Sequence, residues 1–161
     1  MTRLPAEPPD RFGTREAVAR LNAILCFDHD PFMQDWEIER SDGARLSEFI
    51  AAYTNLTLSD DDQFTLMGLI VASADDALKF HDLADEQWQT IKKLLVAKSW
   101  LHSSTIYDWC CADAICYDEC FTLTSYMREV WNISFPNGHP FPSVPESGSS
   151  GTTPADPATD G

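Results

Sequence analysis

The stretch YDWCCADAICYDEC, residues 107–120, holds four of the chain's five cysteines. Thiolates this dense can hold a metal or exchange electrons, so their spacing matters first. A structural zinc site pairs cysteines as C-x2-4-C, separates the pairs by a loop and often adds histidine. Here Cys110, Cys111, Cys116 and Cys120 are separated by zero, four and three residues. Neighbouring residues on a helix point about 100° apart, so Cys110 and Cys111 would not share one ion. Cys116 and Cys120 would share a face if the segment were helical. His102 lies two helical turns before Cys110, too far for a compact ligand pair. The C-x-x-C spacing of a redox dithiol is absent. The spacing therefore favours reduced thiols acting as small hydrophobes near the core, beside Tyr107, Trp109, Tyr117 and Phe121. No metal and no cofactor is expected.

Other chemistry-bearing groups lead to similar readings. His29-Asp30 and His81-Asp82 are two His-Asp pairs, the unit of a metal-dependent phosphohydrolase of the HD type. The first reads as a turn closed by Pro31, the second as the end of a helix. Asp60-Asp61-Asp62 does not fit a calcium loop, which needs Gly at position six and Glu at position twelve; those positions hold Thr65 and Val71. Asp75-Asp76 would face different directions on a helix. The G-x-S-x-G, G-x-x-x-x-G-K-[ST] and G-x-G-x-x-G signatures are absent. His139 sits among prolines, a poor setting for a preorganised catalytic group. The expectation is a protein without enzymatic activity.

The elements that would position these groups are helical. Thr14 can cap a helix carrying Val18, Leu21, Ile24 and Leu25. In residues 34–40, Trp36 and Ile38 alternate with charges, which suggests a short extended segment. Ser41-Asp42-Gly43 opens a second helix, with Leu46, Phe49, Ile50 and Tyr53 at i, i+3, i+4 and i+7. Ser59 is the strongest cap in the chain, followed by three aspartates where the helix dipole favours negative charge, with Asp62 at the capping-box distance. The helix it opens runs through Phe64, Met67, Ile70, Val71, Ala74 and Leu78, and its apolar middle marks it as the central one. A fourth helix starts near Asp85 with Trp88, Ile91, Leu94 and Leu95. A fifth spans about 99–113, and Thr124 can cap a last one with Met127, Val130 and Trp131. The fold class is all-α, an irregular bundle of five or six helices. Residues 13–133 form the single domain, 1–12 a flexible lead, and 134–161 a disordered tail rich in Pro, Ser and Gly.

Charge decides among functions. The chain has 26 acidic and 11 basic residues, net −15. With Glu146, Asp156 and Asp160 in the tail and no Lys or Arg there, residues 1–133 keep 23 acids against 11 bases, net −12. Phosphate backbones and anionic membranes repel such a surface, which argues against direct nucleic-acid or membrane binding. The N-terminal residues show no apolar signal region, and no apolar run reaches membrane-spanning length, so a cytoplasmic protein is expected. The leading expectation is an acidic binding protein, an immunity-type inhibitor that occludes a basic partner such as a toxin or nuclease. Its candidate contact residues are Asp60, Asp61, Asp62, Asp75, Asp76, Asp82, Asp85 and Glu86; Asp28, Asp30 and Asp35 are a further acidic group. The alternatives are a phage-type DNA mimic that blocks a nucleic-acid defence system, and a metal-binding protein or enzyme using the Cys/His set.

Overall fold

The computed structural model describes residues 5–28, 30, 32–112 and 120–142. Among these, seven α-helices occur and no strand: α1 (Arg15–Leu25), α2 (Trp36–Glu39), α3 (Leu46–Asn55), α4 (Asp60–Phe80), α5 (Asp85–Ala97), α6 (Ser99–Trp109) and α7 (Thr124–Ser134), with a 3-10 turn at Gly43–Arg45 leading into α3. None is long and apolar enough to cross a membrane.

The start of α4 is fixed by local chemistry. Ser59 Oγ accepts from the Asp62 amide at 3.1 Å, and Asp62 Oδ2 accepts from the Ser59 amide at 3.4 Å. This reciprocal capping box satisfies two amides that no helical carbonyl can reach. The 21-residue helix that follows is the axis of the molecule. It is buried on nearly every side from Phe64 to Ala77, with only Gly68 and Asp76 partly open. Helices α1, α2, α3, α5 and α6 all pack against it. Each fully buried Leu, Ile or Met of α4 contributes roughly 1.5–3 kcal/mol of hydrophobic stabilisation relative to exposure.

Two loops are tied to this axis by carboxylates. Asp75 is buried; its Oδ1 accepts from the Leu123 amide at 2.9 Å, and its Oδ2 pairs with Lys79 at 2.9 Å. Asp76 Oδ2 accepts from the Gly43 amide at 2.8 Å. Gly43 is there because nothing larger fits: a Cβ would stand 2.7 Å from both Cα and N of Ala77.

The extended segment expected at 34–40 is instead α2. The Asp35 carbonyl accepts from the Ile38 and Glu39 amides at 3.0 and 2.8 Å, closing one helical turn. Its alternating pattern reflects a single anchor. Trp36 is buried, and its Nε1 donates to Asn22 Oδ1 at 2.7 Å, while Ile38 faces outward. Thr124 is the first residue of α7 rather than its cap; its hydroxyl donates to the Trp109 carbonyl at 2.9 Å. Helix α6 ends at Trp109, four residues before the expected 113. Cys111 has φ of 51°, a left-handed conformation that stops propagation.

The ends given to the lead and tail on composition are partly seated. Pro5 is buried, and Arg11 pairs with Asp61 at 2.9 Å. Phe141 is buried and clasped by Asn132, which accepts from its amide at 2.8 Å and donates to its carbonyl at 3.2 Å. Large apolar side chains explain why residues 135–142 return to the body. Residues 1–4 and 143–161 lie outside the described residues.

Gly43→Ala should destabilise the protein by about 1–3 kcal/mol, since the new methyl must displace backbone. Thermal melting of the two proteins measures this; an unchanged melting temperature would contradict the close approach.

Candidate interaction surface

Helix α4 divides the candidate acidic residues between its two ends. Asp60, Asp61 and Asp62 occupy its first turn, and Asp75 and Asp76 its last turns, about 20 Å further on at 1.5 Å per residue. Asp62 and Asp75 are buried and committed to internal partners. Burial alone would raise the Asp62 pKa, but hydrogen bonds from Arg20 and Ser59 outweigh it and hold the carboxyl below its ordinary value. Asp61 pairs with Arg11, and Asp60 stands 4.0 Å from Lys98. The first-turn group is thus neutralised by bases from three other segments.

The far end is different. Asp76 lies one helical turn before Phe80, on the same side of α4. Phe80 is 74% exposed, and His81, Asp82, Asp85 and Glu86 that follow it are exposed as well. The nearest base to Asp76 is His81, with Nε2 at 3.9 Å. Gln87 fixes the corner: its Oε1 accepts from the Ala84 amide at 3.2 Å, and its Nε2 donates to Ser47 Oγ at 2.9 Å. Phe80 thus stands exposed where α4 gives way to the turn before α5, with Asp76 one helical turn before it and the exposed Asp82, Asp85 and Glu86 following it in the chain. Such a surface can seat an apolar anchor while attracting a cationic partner.

An open groove of about 960 Å³ lies between residues 10–15, α1, Asp30, residues 32–37, α4 and α6. Phe12 and Phe32, 78% and 87% exposed, stand at it together with Asp10, Asp35 and Asp108. Among the described residues its lining includes no histidine or cysteine.

The cysteines are held from an unexpected quarter. Cys110 is fully buried, and burial pushes its thiol pKa well up, away from thiolate chemistry. The Cys111 thiol lies 3.4 Å from Thr124 Oγ1. Arg128 of α7 is buried against the end of α6. Its Nε donates to the Cys110 carbonyl at 2.9 Å, and its two amino groups donate to the carbonyls of Cys111 and Pro142 at 3.3 and 3.2 Å. A guanidinium thereby satisfies carbonyls that the helix end leaves open and complements its dipole. Among the described residues no three His, Cys, Asp or Glu side chains converge as a metal requires. Cys116 and His29 lie outside those residues.

No protein-family model, no curated protein and no solved structure matches this chain.

One buried titratable pair escaped sequence reasoning. His102 of α6 is fully buried, and its Nε2 shares a 2.9 Å hydrogen bond with the Tyr53 hydroxyl of α3. Its Nδ1 is buried without a partner. Burial, then the charges of Lys98 and Arg11, lower its pKa from 6.5 to about 4. Burial, then Asp60, raises Tyr53 to about 12. Apolar periodicity carries no sign of this pair, because His102 is the one polar residue between Leu101 and Ile106 that points fully inward. Phe80 was missed for the opposite reason: it falls off the apolar stripe of α4, a signal of exposure that residue type alone conceals.

Both pKa shifts set limits on stability. Unfolded His102 takes up a proton below about 6.5 while folded His102 resists until about 4. Stability is therefore complete above pH 7 and falls with acidification, by about 2 kcal/mol at pH 5. Tyr53 acts in the other direction, with stability falling above pH 10 as the unfolded phenol ionises first. Urea melts at pH 5, 7 and 8 test the acid limb, and His102→Gln should flatten it. An acid limb undiminished in that variant would contradict the assignment. Arg128→Met should cost about 2–4 kcal/mol through the carbonyls left without donors; equal urea midpoints for variant and wild type would show that the clamp carries no stability.

Proposed function

We propose that this protein is a non-enzymatic acidic binding protein that occludes a cationic macromolecular partner, as an immunity-type inhibitor occludes a toxin or effector. The observation that carries the reading is Phe80, an aromatic ring 74% exposed at the α4–α5 turn and followed in the chain by the exposed acids Asp82, Asp85 and Glu86. Exposing a ring of that size to water is unfavourable, and interface centres favour aromatics surrounded by polar rims. The carboxylates steer a positive surface to the site, and the ring supplies contact area on arrival. A net charge of −15 across the chain adds long-range attraction of the same sign.

The DNA-mimic reading requires phosphate-like spacing of carboxylates along one continuous face. The exposed acids at the two ends of α4 are separated by its buried middle, which supports that reading less. A basic protein from the cytoplasm of the same cell is the partner class favoured.

The test is retention of host proteins by immobilised wild type, by Phe80→Ala and by a doubly charge-reversed Asp82→Lys/Asp85→Lys protein. The expected result is one basic protein, held at low salt, eluted by about 0.5 M salt where screening lengths shrink below 5 Å, and lost by both variants. Its toxic or nucleolytic activity should be abolished by wild type and spared by the variants. A partner indifferent to salt and to both variants, or no partner, would overturn the proposal.

A further inference from the structure

The open groove of about 960 Å³ has features that the packing of the chain does not account for. Helix α4 contributes Phe64, Thr65 and Gly68 to its lining, positions that share one side of the helix. Gly68 interrupts the central helix, where glycine is less stable than alanine. Close packing does not require it. A Cβ there would meet nothing nearer than Glu37 Cβ at 3.6 Å, an ordinary contact. Glycine at a position with room for a side chain leaves helix backbone open to the groove, the condition for close approach by a bound chain. Phe12 and Phe32, both in the lining, hold their rings largely in water. Asp10, Asp30, Asp35, Glu37 and Asp108 line the groove as well, against Arg11 and Arg15. Arg11 is already engaged by Asp61 at 2.9 Å. The effect is felt at Asp108, whose carboxyl pKa is raised by partial burial and then by the charges of Asp10 and Glu7.

We propose that this groove is a binding site for an extended segment of a partner protein in which arginines alternate with apolar side chains. Charge complementarity selects the base. Asp10 and Asp108 form one acidic group in the lining, and Asp30, Asp35 and Glu37 belong to the other bordering segment. An extended segment can direct one base to each group, which a compact cation cannot. Arginine suits the lining better than lysine, because a guanidinium stacks on an aromatic ring while pairing with a carboxylate. The chain shows this mode itself: the Arg11 guanidinium lies 5.4 Å from the Phe64 ring centroid and bonds to Asp61. Apolar side chains of the segment would cover Phe12 and Phe32, and its backbone would approach α4 at Gly68. Phe80 lies about 18 Å further along α4 at 1.5 Å per residue, so the two surfaces are tested by different variants and either proposal can fail alone.

The test uses the full-length chain labelled at its tryptophan indole nitrogens, since Trp36 and Trp109 line the groove and report on its occupancy. It is titrated with the peptides RLRLRL, KLKLKL, RSRSRS and ELELEL. RLRLRL should shift both indole signals and bind at least roughly five-fold tighter than RSRSRS at low salt, with KLKLKL weaker and ELELEL inert. Gly68→Met, which fills the opening, and Asp108→Lys, which reverses the charge, should each weaken RLRLRL roughly ten-fold, while Phe80→Ala leaves it unchanged. Gly68→Ala and Asp108→Asn separate binding from folding. Both should melt higher than wild type, through better helix propensity and relieved repulsion, and both should bind RLRLRL more weakly. A merely structural role would lower the melting temperature instead. Absence of indole shifts with RLRLRL would overturn the proposal. Equal binding of RSRSRS would reduce the effect to charge alone, and equal binding of acetylarginine methylamide would make the groove a small-cation site; either result also overturns it.

Discussion

The burial of α4 is the constraint on which the remaining structure depends. A helix surrounded on nearly all sides must satisfy its backbone internally, begin with a firm cap and dispose of its acidic residues by pairing them. The Ser59–Asp62 box does the first at one end. At the other, Asp75 and Asp76 turn inward or sideways to receive the amides of Leu123 and Gly43. Carboxylates that look like surface decoration are therefore the ties between the central helix and two distant loops. The close seat of Gly43 on Ala77 is part of the same arrangement, since the Asp76 bond requires the 3-10 turn to lie against the helix.

Two further features follow from this axis. Once α4 is packed through Ala77, its last turn has no neighbour to cover Phe80, and the chain turns into α5 through a run of acids. An exposed ring and exposed carboxylates therefore occur in the same stretch of chain. Elsewhere, α6 ends early because Cys111 is left-handed, and α7 packs across it with Arg128 bonded to the Cys110 carbonyl. That crossing brings Tyr107, Trp131 and Phe141 into one aromatic cluster, and the Tyr107 hydroxyl donates to the Pro5 carbonyl. The cysteines of the opening stretch are placed by this crossing, with Cys110 in the core and the carbonyls of Cys110 and Cys111 in the grip of a guanidinium.

His102 and Tyr53 show how the molecule tolerates polarity inside. An imidazole shares a hydrogen bond with a phenol across α6 and α3, and burial, added to by the positive charges of Lys98 and Arg11, keeps it neutral. The arrangement favours near-neutral pH and ties two helices that otherwise meet α4 separately.

The helical class, the Thr14 and Ser59 caps and the core positions Leu21, Phe49, Ile70, Trp88 and Ile91 were legible in the residues, because periodicity and capping act over a few neighbours. The amino-acid sequence alone also determined the charge excess, which no folding can change. It could not determine which carboxylates remain available: the capping box and an i,i+4 lysine distinguish Asp62 and Asp75 locally, but the partners that hold them inside, Arg20 and Leu123, are distant in the chain. The one-turn helix at Trp36 was misread as extended because its single anchor, Asn22, lies on another helix. Exposure of Phe80, burial of His102 and the seating of Pro5 were likewise settled by tertiary structure, since each depends on whether a remote segment arrives to cover the side chain.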